Sequence, residues 1–513
     1  MESAAKEKRI AWREVLVVTL VSTIWLLVVR AGPLSLPYFW DEADVYVAGA
    51  RWLADHDMNP TPGHFPDDWS RGHPPLLYIL GSIAFRLFGP SPVVGHALIL
   101  PFAVAGLVST YVIAYERASR AIAVLATLVL ATTPLYLTMA AFLLPEMPLT
   151  GLTALALFFV HRRQLGWAAA MGILLVWIKE TGIFTSGAIG AAIVFHHWRT
   201  GTLNTPLAKR AIALSTLPLF ALIAFFLWQR INAGYFVFPH HQGLFSERQF
   251  TLSNFLTAIP SMFLWNGRFA LSFVAVLCAV VVFRRPARPP LSRESAPYRG
   301  IPESPAQATL STDPVFLASC LLALFNVVFF AQMFWLERYA LPAHPGVILA
   351  CSLLIFHTTD TPSQLRDLLR VTAYFLPILG GLVGLWFSPR AAAPELSFVY
   401  ADVLESHQQA ARAIRAEFQE RALPIEALIV TTWPLTVELE DPVLGFTEVA
   451  FSTQHPEYLR DEDRDSVRAI LIDTSSGRAD ALRTQAHEEG FTPEGTWTVG
   501  RAPRLELYVR AAP

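Results

Sequence analysis

The sequence predicts a polytopic α-helical membrane protein with about eleven transmembrane helices, followed by a C-terminal soluble α/β domain. Hydrophobic residues make up 53% of the 513 residues and charged residues only 16%, whereas soluble proteins carry about 25% charged residues. Apolar runs that approach the length needed to cross a membrane, about 20 residues, recur along the chain. The tail differs: from Ala391 to the end it holds 21 acidic and 11 basic residues, although the net charge of the chain is only −2.

Eleven apolar runs are candidates for transmembrane helices. The first run is long and lacks a small-residue cleavage site, so it is interpreted as a retained helix and not as a signal peptide. The three cysteines lie inside apolar runs, with neither a disulfide nor a metal-site spacing, and are interpreted as buried apolar residues. The runs are 14–31, 92–115, 121–138, 147–161, 166–180, 182–197, 210–229, 268–283, 314–335, 340–357 and 371–388.

The distribution of Lys and Arg between alternate loops predicts the orientation. Four basic residues precede the first run and place the N-terminus in the cytoplasm. With eleven alternating helices every cytoplasmic loop is basic, including the Pro- and Arg-rich loop Arg284–Asp313, which is expected to be flexible. The opposite side, outside the plasma (inner) membrane, receives the tail and the loops 32–91, 139–146, the turn at 180, 230–267 and 336–339.

The tail is predicted to be a separate domain. Residues 1–389 would form the transmembrane domain, with interfacial helices in the outer loop 32–91, and residues 390–513 an extracytoplasmic α/β domain. The tail lacks a Gly-rich phosphate loop, so it is expected to be dispensable for the chemical step, although not necessarily for acceptor choice. Nucleic acid is not an expected partner, because the basic residues lie in short loops and not on one face. The predicted elements of the tail are helices near 396–422 and 477–489 and strands at 427–431, 469–472 and 505–509.

The first outer loop carries two polar motifs. Asp41 and Glu42 follow Tyr-Phe-Trp just beyond the first helix, and adjacent carboxylates at an interface are costly unless they are solvated, paired or used. Such a carboxylate suits a general base, and a water-facing acidic pair behind an aromatic belt is the structural alternative. Arg71 and His73 then precede an apolar stretch to Phe88, which is too short to span and is interpreted as an interfacial helix.

Three more outer turns each carry a charged residue at the membrane boundary. Glu146 lies in Pro-Glu-Met-Pro, Lys179 in Ile-Lys-Glu-Thr, and Arg338 in Leu-Glu-Arg-Tyr-Ala-Leu-Pro. A guanidinium there suits a phosphate, although an arginine that snorkels at the end of a span is a common structural alternative. Carboxylates and two fixed cations on one side of the membrane together favour a pocket for a lipid-linked phosphate donor and a hydroxyl acceptor.

These motifs resemble the GT-C fold of membrane glycosyltransferases, among them the protein O-mannosyltransferases and the bacterial aminoarabinose lipid A transferases. The resemblance rests on the acidic pair, the His-Pro-Pro-Leu segment, the acidic residue between the third and fourth helices and the Arg-Tyr-x-Leu-Pro segment, and it covers roughly residues 10–360. It implies inverting transfer of a sugar from a polyprenyl-phosphate carrier to a hydroxyl of a lipid, glycan or protein on the outer face.

The resemblance also implies roles for individual residues. Asp41, with Glu42 beside it, would act on the acceptor. The second acidic position, commonly Asp in relatives, is Glu146, so its role is left open. Some family members need a divalent cation and others do not, so no cofactor is assigned and a metal stays open. The donor phosphate would be held by Lys179, Arg338, Arg71 and His73.

Three other functions are weighed against sugar transfer. A polytopic transporter would place its polar residues near the bilayer midplane, often in broken helices arranged as repeats, and the sequence shows no repeat. A non-catalytic scaffold that displays the tail would leave the charged cluster unexplained. An enzyme that moves a whole lipid-linked glycan is distinguished by a diphosphate-linked oligosaccharide donor.

Overall fold

The computed structural model describes residues 9–30, 32–239, 251–264, 268–284, 310–331, 336–358, 364–387 and 399–510. Helices dominate up to residue 387, and residues 399–510, called the α/β region below, combine helices with a sheet. Each of the eleven apolar runs overlaps a helix of the structure. The predicted flexible loop Arg284–Asp313 lies outside the described residues except at its two ends.

Length and composition separate the apolar helices into two groups. Four segments within the described ranges are long and apolar enough to cross a membrane: Trp12–Arg30, Pro92–Arg117, Pro206–Ala233 and Glu337–Phe356. Seven further apolar helices have 10–17 residues. The chain therefore carries the apolar helices of a membrane protein, and the count of eleven crossings stays a prediction.

The first outer loop folds into short helices between two long ones. Helix α1 (Trp12–Arg30) leads to a π-helical turn (Glu42–Val47) that continues into α2 (Ala48–Asp55), then α3 (Asp67–Ser70) and α4 (Leu76–Phe88). Helix α4 starts directly after Pro75, as the Pro-Pro motif predicts, and packs against α2. π-Helical turns often occur at functional sites, and this one begins next to Asp41.

Twelve further helices of the described apolar region follow, and among them α5 and α8 pack closely against each other. Gly151 permits the close contact between these two, because a Cβ at this position would overlap the backbone carbonyl of Phe102. This glycine therefore sets how closely α8, the helix that begins at Glu146, packs against α5. The helices are α5 (Pro92–Arg117), α6 (Arg120–Ala131), α7 (Pro134–Met139), α8 (Glu146–His161), α9 (Leu165–Ile178), α10 (Gly182–Arg199), α11 (Pro206–Ala233), α12 (Leu252–Phe263), α13 (Phe269–Arg284), α14 (Pro314–Phe330), α15 (His344–Thr358) and α16 (Gln364–Phe387).

Local sequence explains where these helices differ from the predicted runs. The run 121–138 is divided into α6 and α7, because Pro134 lacks the amide needed to continue a helix. The run 340–357 begins as a 3₁₀ segment (Glu337–Ala343) that contains Pro342 and becomes α-helical at His344. Helix α12 lies within the predicted loop 230–267, and its 12 residues are too few for a span.

The α/β region contains a five-stranded sheet of order β2-β1-β3-β5-β4. Strands β1, β2 and β3 are parallel, while β5 pairs antiparallel with β3 and β4. The structure has a strand within each of the three predicted strand segments, and it adds β2 and β4. The elements are α17 (Val399–Glu420), β1 (Leu428–Val430), α18 (Leu435–Glu440), β2 (Ser452–Gln454), β3 (Val467–Asp473), α19 (Ala479–Glu488), β4 (Phe491–Trp497) and β5 (Leu505–Arg510).

The α/β region packs directly on the first outer loop. The amide of Tyr38 donates to the carbonyl of Leu444 at 2.9 Å, and Arg51 forms an ion pair with Asp441. Buried residues of α17 belong to the same hydrophobic core as the helical region. At the end of α1, Nη2 of Arg30 donates to the hydroxyl of Tyr400 at 2.5 Å. Contacts with the α/β region therefore fix the loop that carries Asp41 both before and after this residue.

Candidate functional site

Asp41 and Arg338 form the centre of the candidate site. Asp41 precedes the π-helical turn, and Arg338 lies in the 3₁₀ segment before α15. Nη2 of Arg338 donates a hydrogen bond to Oδ2 of Asp41 across 297 positions of sequence. The side chain of Arg338 is 3% exposed and that of Asp41 34%. A buried guanidinium needs an anionic partner. This ion pair joins the loop 32–91 to the 3₁₀ segment before α15 and leaves the carboxylate partly accessible to solvent.

Glu146 and Lys179 lie on the buried side of this ion pair. Glu146 is the first residue of α8, where the helix dipole favours a negative charge. Its Oε1 is 3.7 Å from Nζ of Lys179 and 3.9 Å from Nε of Arg338. The ring of Tyr339 faces both cations, with its centroid 4.8 Å from Nζ of Lys179 and 5.5 Å from Cζ of Arg338. Two cations therefore converge over one carboxylate and one aromatic ring.

Arg71 and His73 approach the cluster through acidic partners. Nη2 of Arg71 donates to Oδ2 of Asp44 at 2.6 Å. Nδ1 of His73 lies 3.0 Å from Oε2 of Glu180, the residue after Lys179. The side chain of Arg71 is half-buried and that of His73 is mostly buried.

Charge interactions set the protonation of Asp41 and Glu180, which are both partly buried. Burial opposes ionisation of Asp41, but Arg338, with Lys179 and Arg71 further away, holds the pKa of this carboxyl below its usual value. Burial likewise opposes ionisation of Glu180, and the adjacent His73 outweighs it and lowers the pKa of Glu180 to about 2. Both groups are therefore ionised at neutral pH, as a base that accepts a proton must be.

Glu42 points away from this cluster. Its side chain is fully buried, and its two carboxylate oxygens accept hydrogen bonds from the amides of Leu143 and Phe39, at 2.5 and 3.2 Å. Nε2 of His96 lies 3.1 Å from Oε1. These contacts tie the segment that carries Asp41 to the turn before α8, and both carboxylate oxygens of Glu42 are occupied by backbone amides.

We expect Glu42→Gln to affect stability more than chemistry. Loss of the charge weakens hydrogen bonds worth about 1.5–3 kcal/mol each, so the free energy of unfolding should fall by about 2 kcal/mol. The midpoint of thermal unfolding in detergent measures this, with Glu426→Gln on the exposed surface as the matched control. A turnover loss of about 100-fold or more with an unchanged midpoint would instead place Glu42 in the chemistry.

The structure adds residues that the sequence did not single out. Tyr339 contacts both cations, and its only sequence signal is its place next to Arg338. Asp44 lies three residues after Asp41, within the π-helical turn, and accepts a hydrogen bond from Arg71. Glu180, the neighbour of Lys179, binds His73. Asp44 and Glu180 could have been indicated by their spacing, because each lies one or three residues from a charged residue that the sequence had singled out.

The residues of the cluster suit a phosphate better than a metal ion. Within the described ranges, no three His, Cys, Asp or Glu side chains converge where a metal could be held. Asp41 and Glu146, the carboxylates that the resemblance implies, both face Arg338 instead. Guanidinium and ammonium groups are ordinary phosphate ligands, so no step is assigned to a metal and the need for a cation stays open.

Comparison with solved structures defines the class of fold. The chain has the GT-C fold of membrane glycosyltransferases, as its motifs predict, and this fold and the apolar helices place the protein in a membrane. It is similar to the crystal structure of ArnT from Cupriavidus metallidurans in the apo state, with a TM-score of 0.56 over 98% of this chain and 99% of that chain at 12% identity.

A second structure of ArnT, bound to undecaprenyl phosphate, matches with a TM-score of 0.54 at 13% identity, over 98% of this chain and 100% of that chain. No protein-family model and no curated protein matches the chain. At these identities the likeness extends to the fold, and the function is argued from the charged cluster.

Proposed function

We propose that the protein is a membrane glycosyltransferase that moves a sugar from a polyprenyl-phosphate donor to a hydroxyl acceptor. The observation that carries this proposal is the convergence of Arg338 and Lys179 beside the exposed carboxylate of Asp41. This arrangement combines two phosphate ligands with a general base. The likeness to ArnT, of which one structure is bound to undecaprenyl phosphate, supports a donor of this kind.

The ion pair between Asp41 and Arg338 gives the donor phosphate a defined entry point. In the proposed mechanism the phosphate takes the place of the Asp41 carboxylate on Arg338, with Lys179 as its second ligand. Asp41 is then free to accept the proton of the acceptor hydroxyl as the acceptor oxygen bonds to the anomeric carbon. The bond from that carbon to the phosphate oxygen breaks, and the two cations stabilise the negative charge on the departing polyprenyl phosphate.

Mass spectrometry of membrane lipids tests the proposal in cells. A strain that lacks the protein should accumulate a polyprenyl-phosphate sugar, and the intact gene should remove it while an Asp41→Asn version should not. Accumulation of a diphosphate-linked oligosaccharide would replace the single-sugar donor by a whole-glycan donor. Unchanged lipids and envelope glycans in the deletion strain would contradict the proposal.

We also propose that the N-terminus faces the cytoplasm and the α/β region lies outside the plasma membrane, since the Lys/Arg bias favours this orientation. Cysteines introduced at Ser292 and at Ser476 are expected to react with a membrane-impermeant thiol reagent from opposite sides. The native cysteines Cys278, Cys320 and Cys351 are replaced first, and the cysteine-free protein is the control. Labelling of both positions from the same side would overturn the orientation.

A further inference from the structure

Two tryptophans from distant parts of the chain lie side by side next to Asp41. The ring centroids of Trp40 and Trp433 are 5.4 Å apart, with an angle of 47° between the ring planes. Trp40 directly precedes Asp41 and also contacts the ring of Phe39, whose centroid is 5.3 Å away. Trp433 remains 41% exposed. Trp433 therefore presents a partly open aromatic surface, and its partner Trp40 adjoins Asp41 in the chain.

Trp433 occupies the place where open α/β sheets bind ligands. The strand order puts β2 and β3 on opposite sides of β1, so the chain reverses direction across the sheet at β1. Ligands of such sheets bind outside the carboxyl ends of the strands at this switch point. Thr431, Thr432 and Trp433 are the three residues that follow β1.

The packing of the α/β region turns this edge of the sheet toward the first outer loop. Asp441, which pairs with Arg51, directly follows α18, the helix that Trp433 and Pro434 lead into. The contact between Leu444 and Tyr38 lies three residues further on.

Trp40 itself has a φ of 53°, a left-handed conformation that is unfavourable for a non-glycine residue and persists where the surroundings enforce it.

We propose that Trp40 and Trp433 form the acceptor platform, on which an uncharged sugar ring stacks and presents one hydroxyl to Asp41. The C–H groups on one face of a sugar ring carry slight positive charge, which suits the negative face of an indole. The hydroxyls at the ring edge stay free for hydrogen bonds and for attack. Asp41 is paired with Arg338 and Asp441 with Arg51, so neither carboxylate offers an unpaired charge to an ionic acceptor.

This inference rests on the proposed function and narrows its acceptor from any hydroxyl compound to a glycan. It also gives the α/β region a part in acceptor choice, which the sequence left open. Trp433 would determine acceptor specificity without touching the donor phosphate.

Saturation-transfer difference NMR on the full-length protein in nanodiscs tests the platform. The probes are methyl α-D-mannopyranoside, methyl β-D-glucopyranoside and a serine-containing peptide. Trp433→Ala should reduce saturation of the glycoside ring protons by about threefold or more, because the stacking surface is lost. Trp433→Phe should retain most of it.

Trp198→Ala is the matched control. Trp198 is 59% exposed, and α10 begins next to Glu180, so the rise of the helix puts Trp198 about 24 Å from the cluster. Saturation of the glycoside ring protons by this variant should equal that by the unmodified protein. Equal losses in both alanine variants, stronger saturation of the peptide, or no glycoside saturation in the unmodified protein would each overturn the platform.

Binding of a short-chain polyprenyl phosphate to the same samples separates the platform from the proposed function. Its affinity should stay within about twofold in all variants, since Trp433 does not contact Arg338 or Lys179 in the proposed arrangement. A weakened affinity in Trp433→Ala alone would assign Trp433 to the donor and contradict the platform. Glycoside saturation that depends on Trp433, in a protein that binds no polyprenyl phosphate, would uphold the platform and contradict the proposed donor.

Discussion

Replacing Asp41 by Asn is expected to lower the rate of sugar transfer by about 10²–10⁴-fold, the usual contribution of a general base. The amide keeps the shape of the side chain but cannot accept the proton. Donor binding should stay equal or become tighter, because the neutral amide competes less than a carboxylate for Arg338. Single-turnover transfer and direct binding of undecaprenyl phosphate measure the two effects separately.

The pH dependence adds a second readout for Asp41. Because Arg338 holds the pKa of Asp41 below its ordinary value, about 3.9, the carboxylate of the free enzyme stays ionised as the pH falls toward that value. The ratio kcat/KM should therefore show no loss from Asp41 protonation above about pH 4. Near-normal turnover of Asp41→Asn in a correctly inserted protein would remove Asp41 as the base and make Glu146 the next candidate.

Replacing Arg338 by Ala is expected to weaken donor binding by about 10- to 100-fold, since hydrogen bonds to charged groups are worth about 1.5–3 kcal/mol. The transfer step should also slow, because negative charge grows on the departing phosphate. Arg338→Lys should restore part of both, as a single ammonium replaces the planar fork of the guanidinium.

The Arg338 variants need a control for folding, because the guanidinium is buried between Asp41 and Glu146. Arg120→Ala is a matched loss of an exposed arginine, at 75% exposure. Thermal unfolding midpoints tell which variants are folded. Normal donor affinity in a folded Arg338→Ala protein would show that Arg338 is a structural ion-pair partner and not a phosphate ligand.

The apolar runs of the sequence were sufficient to locate most of the helices, because a helix that crosses a membrane needs a long apolar run whichever helices it packs against. Strands β2 and β4 were missed for a physical reason. Strand β2 has only three residues, and β4 is an edge strand that contains Pro493 and Gly495, both unfavourable in strand interiors. Helix α12 was missed because it is short and lies inside a long loop.

The candidate site was predictable in its residues but not in its pairings. Asp41, Glu146, Lys179 and Arg338 could be selected because a charge at a membrane boundary is costly, and the structure brings these four together. The burial of Glu42 could not be read from the sequence, since its partners are backbone amides of Phe39 and Leu143. The contact of Trp433 with Trp40 depends on how the α/β region packs on the loop 32–91, and no local pattern in the sequence predicts that packing.

The packing of the α/β region on the first outer loop also sets an order of events during biosynthesis. Arg30 contacts Tyr400 across 370 positions, and Tyr38 contacts Leu444, so the loop that carries Asp41 is completed by residues that leave the ribosome long after the loop itself. Contacts between such distant residues form late in folding because a long loop must close first. A nascent chain that ends before the α/β region therefore carries the apolar helices without the contacts that complete this loop.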